Sequence, residues 1–141
     1  MITTFCVLPH IEPATNHLWS ELRRVVKPGG FVFMENPNPR NRRKRLGGVL
    51  GRDQNDEIDT WFSAPMFVGH FREHSLREST YSAHQAGFDI AQSGFMNLIL
   101  TGKRATAGSL SKKALRELYR AVLLLHPSLQ DATYVVATPS S

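Results

Sequence analysis

The four residues Lys27-Pro28-Gly29-Gly30 constrain the fold of this chain more than any other stretch. Before them, Ala14, Leu18, Leu22, Val25 and Val26 recur at helical spacings of three and four, and Pro13 suits a first helical turn. After them, Phe31 to Glu35 is aromatic and β-branched, and Asn36-Pro37-Asn38-Pro39 ends it as turn residues do. Pro28 closes the helix while two glycines permit a sharp reversal, so a helix over Pro13 to Val26 is handed directly into a short buried strand.

Further elements flank this unit. Met1 to Leu8 reads as the end of a buried strand, and Arg40 to His74 as an irregular lid or insertion holding a basic run, an acidic patch and several aromatics. Ser75 and Glu78 have capping-box spacing and Gly87 suits a helix terminus, so Ser75 to Ala86 is predicted helical. Phe88 to Leu100 reads as a strand with Gly94 a candidate bulge. Leu110, Leu115, Leu118, Tyr119, Val122 and Leu125 mark a helical face stopped by His126-Pro127, and Tyr134 to Thr138 reads as a final strand. Helices alternating with short apolar strands predict an α/β sheet covered on both faces, with a last strand that returns antiparallel.

Composition narrows the class. At 141 residues the chain is one domain, and its 41% apolar content excludes wholesale disorder. The longest apolar run, Ala121 to Leu125, is five residues, far short of a membrane span, and the N-terminus lacks the pattern of a signal peptide. A lone Cys6 excludes a disulfide framework and points to a reducing, cytoplasmic setting. The six histidines do not form a metal set, because His70 and His74 lie four apart without a third ligand at helical spacing. The net charge of +5 permits nucleic-acid contact, but the basic run Arg40 to Arg45 has no interleaved aromatic stacking platform, and a solvated loop explains it more simply.

The helix ending Leu22-Arg23-Arg24-Val25-Val26, the turn Lys27-Pro28-Gly29-Gly30 and the strand Phe31-Val32-Phe33-Met34-Glu35 together resemble the second half of a class I S-adenosylmethionine-dependent methyltransferase. His70-Phe71-Arg72-Glu73-His74-Ser75-Leu76 running to Ala86-Gly87-Phe88 is similar to the segment that begins the helix before that family's sixth strand. The resemblance covers about Met1 to Leu100 and implies the last strands of a partial Rossmann-like, seven-stranded sheet, with the N-terminal half missing. It departs from the family in two respects: no Gly-x-Gly-x-Gly turn occurs anywhere, Gly47-Gly48-x-x-Gly51 following the wrong strand, and the acidic residue that the family carries after its second strand to bind the ribose hydroxyls is not present.

The resemblance implies S-adenosylmethionine as cofactor, with Thr3, Thr4, Phe5 and His10 beside its methionine portion, although Thr and Phe are also ordinary strand residues. Glu35, Asn36 and Asn38 end the next strand facing the same crevice, the asparagines being substrate-orienting candidates that turn chemistry explains equally well. Trp61, Phe62 and Phe67, with Met66, are candidates for an apolar acceptor pocket or for packing beneath a lid. His70 and His74 are candidate general bases. The implied function is methyl transfer to a small-molecule acceptor. One alternative is a non-catalytic module or split half, completed by self-association or a complementary chain along an exposed sheet edge; another is a basic RNA-associated module.

Overall fold

The computed structural model describes residues 1–11, 15–52, 69–97, 117–118 and 121–140, with the side chains of 15 and 16 excepted. Strand β1 (Ile2–Phe5) leads through a 3-10 turn at Leu8–His10 to helix α1 (Thr15–Val25), then strand β2 (Val32–Pro37) and helix α2 (Arg42–Val49). Helix α3 (Leu76–Gln85), strand β3 (Phe88–Met96), a 3-10 turn at Pro127–Leu129 and strand β4 (Ala132–Pro139) follow.

The four strands form one mixed sheet in the order β1-β2-β4-β3. β1 pairs parallel to β2, and β4 is antiparallel to both β2 and β3. It follows that β1, β2 and β3 all run one way and bring their carboxyl ends to one edge, with the last strand inserted backwards between two of them. The antiparallel return expected from the sequence is present.

The reversal before β2 works as its residues require. Gly29 takes a left-handed φ of 73°, and Gly30 N–H donates to Lys27 O at 2.8 Å. A Cβ on Gly30 would lie 2.9 Å from that same carbonyl, so the second position needs glycine for space and the first for conformation. α3 begins with the expected capping box, Ser75 Oγ accepting from Glu78 N–H while the Glu78 carboxylate accepts from Ser75 N–H, and ends before Gly87 at φ 79°.

α1 and α3 pack on one face of the sheet. Leu8, Trp19, Leu22, Val26, Ala83 and Phe88 meet Val32, Met34, Val135 and Ala137, and all are nearly sealed from water. Trp19 meets Phe88 edge to face, with centroids 5.5 Å apart. Arg23 fastens the far end, donating from Nε to Gly87 O and from Nη2 to Ser140 O. The opposite face carries a row of rings: Phe5 and Phe33 are 5.9 Å apart, and Phe33 stacks on Tyr134 at 6.1 Å. Among the described residues the packed core lies on one face only, where the sequence pattern had pointed to two.

Several local expectations change. The basic run is not a loop, because Asn41 Oδ1 caps the N–H of Lys44 and starts α2. α2 buries none of its side chains, and Gly47 and Gly48 sit inside it, so neither apolar periodicity nor composition announces it. The register of β3 shifts between Ile90 and Gln92, not at Gly94. Gly94 gives the Tyr134 ring room instead, because a Cβ there would stand 3.0 Å from it. Residues 117, 118 and 121–125 are helical, yet Leu123 is the buried one, while Leu118, Val122 and Leu125 are exposed.

Candidate functional site

Open α/β sheets bind ligands in the crevice beyond the carboxyl ends of their parallel strands. Here that edge holds Phe5 and Cys6 from β1, Glu35 to Asn38 from β2, the turn at Leu8–His10, and the segment 69–75 leading into α3.

At its centre is Glu35, 1% exposed. Its backbone carbonyl accepts from Cys6 N–H at 2.9 Å, extending the β1–β2 ladder by one rung, and its Oε2 accepts from Cys6 Sγ at 3.5 Å. Oε1 has no partner, and the enclosed Oγ1 of Thr4 and Oδ1 of Asn36 have none either. Burial pushes the Glu35 carboxyl above its ordinary pKa, opposed by its hydrogen bonds from Cys6. Burial, then the charge of Glu35, pushes the Cys6 thiol up to about 11. Cys6 also holds a left-handed φ of 53°, the one such non-glycine among the described residues. A thiol so raised is a weak nucleophile, so Cys6 acts here as a donor to the carboxylate.

A second polar chain crosses the crevice. His10 Nδ1–H donates to Gly69 O at 3.0 Å, and a carbonyl can only accept, so the lone pair of the neutral ring lies on Nε2. The His10 and His70 rings meet edge to face at 4.7 Å. His70 Nδ1 bonds Glu73 Oε1 at 3.2 Å, and Lys44 Nζ from α2 pairs with Glu73 Oε2. Phe71 N–H donates to Pro9 O at 2.8 Å and pins this segment to the turn after β1. The carboxylate orients the His70 imidazole and presents Nε2 as the basic nitrogen, the arrangement general-base chemistry uses.

Of the sequence candidates, Phe5, His10 and His70 come together at this edge, with Thr4 just behind. Thr3 is exposed on the aromatic-row face. Asn36 is buried at the end of β2. Asn38 is fully engaged: Nδ2 donates to Ser128 O and Gln130 O, and Oδ1 accepts from Arg40 N–H, so it ties the end of β2 to the start of β4. His74 is only 7% exposed with an unpartnered Nδ1, and its pKa is lowered by burial and then by the charge of Arg72. Trp61, Phe62, Met66 and Phe67 lie outside the described residues. Cys6, Glu73 and Lys44 were not singled out from sequence. A carboxylate three residues after His70 would have been noticed only by pairing it with a lysine 29 positions earlier, a contact that no local spacing encodes.

Among the described residues no group of three or more His, Cys, Asp or Glu is disposed to hold a metal ion. None of their helices is long and apolar enough to cross a membrane.

An open mixed sheet with a reversed strand next to β2, helices on one face and a polar crevice at the carboxyl edge defines a class I methyltransferase-like fold. Solved structures share this fold. A chain of the complex between the Haloferax volcanii Trm112 methyltransferase activator and the putative methyltransferase superposes with a TM-score of 0.54 at 12% identity, covering 99% of this chain and 53% of that one. An S-adenosylmethionine-dependent methyltransferase from Mesorhizobium loti gives 0.54 at 15% identity, covering 96% of this chain and 59% of its own. The chain thus spans a little over half the length of the structures it resembles. No family model matches the sequence, and no curated protein matches it.

Proposed function

We propose that this chain forms the acceptor side of a methyl-transfer cleft, serving an S-adenosylmethionine-dependent methyltransferase that acts on a small molecule. The observation that carries the reading is the convergence of two separately held histidines, the Glu73–Lys44 pair and a buried Glu35 at the carboxyl edge of a methyltransferase-like sheet. The cofactor fits this edge in part: the unpartnered Oγ1 of Thr4 and the exposed ring of Phe5 offer a polar and an apolar contact for its methionine portion. A glycine-rich turn for its adenosine is not in the sequence. S-adenosylmethionine, when bound, supplies a methyl group on a cationic sulfur.

The chain's own residues have separate tasks. His70, held by Glu73, takes the proton from an O–H or N–H acceptor, and His10 packs against it to limit the ring's rotation. Phe71, through Pro9, keeps the base at a fixed distance from β1, so that acceptor and donor are held together. Calorimetric titration with S-adenosylmethionine tests this. Binding that weakens in Thr4→Val and Phe5→Ala supports it, and a folded chain that takes up none removes catalysis by this chain alone.

A second reading has an observation of its own: the Phe5, Phe33 and Tyr134 row lies beside β1, which is an edge strand of the described sheet. An apolar face reaching an unpaired edge suits completion by another polypeptide. One similar structure is a complex with a methyltransferase activator, in keeping with a protein partner. Sedimentation that stays monomeric at high concentration would count against self-association.

A further inference from the structure

Two clefts flank the N-terminus of α3, and both are lined by Arg40, Ser75 and Arg77. The first, of about 810 Å³, adds Arg72, His74 and Tyr81 to its wall; the second, of about 590 Å³, adds Arg45, Phe95 and Ser128. The charges around them are not balanced. Arg72 is paired with Glu78, and Glu73 is taken by Lys44, so the acids of the first cleft are spent. Arg40 and Arg77 make no ion pair with any described residue, and the second cleft has three arginines and no acid. Arg45 is tied to the same stretch by its Nε donating to the backbone carbonyl of Arg40. The buried His74, part of the first wall, has a ring nitrogen with no partner. Guanidinium groups fork onto phosphate oxygens.

We propose that this joined groove binds the phosphate of a phosphorylated small molecule, and that this phosphomonoester is the methyl acceptor. Arg40 and Arg77, which line both clefts with Ser75, grip the phosphate, and Tyr81 and Phe95 provide apolar walls for the organic part. Glu73 lines the first cleft and also orients His70, so a molecule anchored there lies next to the base. Identification of the phosphomonoester as acceptor rests on the methyl-transfer reading; phosphate binding by the groove does not.

The test is calorimetric titration with inorganic phosphate and with phenyl phosphate, at low salt. The wild-type chain is expected to bind phenyl phosphate more tightly than inorganic phosphate. Arg40→Ala with Arg77→Ala should weaken both by about tenfold or more, the loss of a charge-assisted pair. Arg40→Lys with Arg77→Lys keeps the charge and loses the fork, so it should bind between the two and guards against a folding defect, checked by circular dichroism. Arg24→Ala, which breaks an exposed pair with Glu21 on α1, should bind as wild type. Equal binding by wild type and the double-alanine chain overturns the groove. An oligonucleotide binding far more tightly than phenyl phosphate, with a steep salt dependence, overturns the small-molecule class. Phosphate binding by a chain that takes up no S-adenosylmethionine sinks the methyl-transfer reading and the acceptor assignment while leaving the groove.

Discussion

On the face covered by α1 and α3, Trp19, Val32, Met34 and Phe88 are fully sealed from solvent, whereas on the other face Phe5 is 60% exposed and Phe33 and Tyr134 are only half-buried. Both faces belong to the same strands and alternate residue by residue, so propensity does not separate them. What separates them is cover. The first is packed as a domain core is packed; the second carries stacked rings and one polar tie, Gln92 Nε2 donating to Tyr134 Oη at 2.9 Å. The shift between Ile90 and Gln92 turns β3 so that Ile90 joins the core and Gln92 the ring row. Among the described residues the packed core supports the sheet from one side.

The largest expected effect lies on the closed face. Trp19→Ala removes a fully buried ring that contacts Phe88, and should cost about 3–5 kcal/mol in urea unfolding, enough to threaten the fold. A loss under about 1 kcal/mol would mean that this face is no better packed than the other.

Next comes the reactivity of the carboxyl rim, where the two faces meet. With its pKa raised from 9.0 to about 11, Cys6 carries roughly 100-fold less thiolate at pH 8 than an ordinary thiol. Iodoacetamide should therefore label the native chain about that much more slowly than the chain in urea, and Glu35→Gln should recover part of the rate. Fast labelling of native Cys6 would show that the rim is as open as the ring row.

Smaller again is Phe33→Ala, expected to cost about 1 kcal/mol, the scale of an aromatic pair on a half-covered surface. A partner that covers this face should raise the cost of the same substitution in the complex, measured by repeating the unfolding with the partner bound. A cost equal to that of Trp19→Ala in the free chain would erase the distinction between the faces.

How much of this was legible in the sequence follows the range of the interactions. The reversal at Lys27 to Gly30, the capping box at Ser75 and the antiparallel last strand are set by residues within a few positions of one another, and all three stand in the structure. The helix α2 was missed because a polar cap and backbone bonds make it without any buried face. Gly94 was read as a bulge because its real constraint, the ring of Tyr134, lies 40 positions away in the chain. The site divides the same way: His10, His70 and Phe5 were visible as residue types at strand ends, while the Glu73–Lys44 pair and the Cys6–Glu35 bond depend on the sheet order.

The smallest effect, and the most discriminating, is the pH dependence of Glu35. Its folded pKa is raised above the ordinary 4.5 by burial, so the cost of its charge is fully present at neutral pH and is relieved as pH falls through the folded value toward 4.5. Glu35→Gln removes that cost and should stabilise the chain at pH 7 by up to about 1 kcal/mol, with the gain shrinking on acidification. His74 works in the opposite sense: its folded pKa is lowered below 6.5, so the unfolded chain binds the proton first and stability falls as pH drops through 6.5. The two contributions oppose each other in the wild-type profile, and only the difference between wild type and Glu35→Gln isolates the carboxylate. If that difference is flat from pH 7 to pH 4.5, Glu35 is solvated, and the carboxyl rim belongs with the open face and not with the closed one.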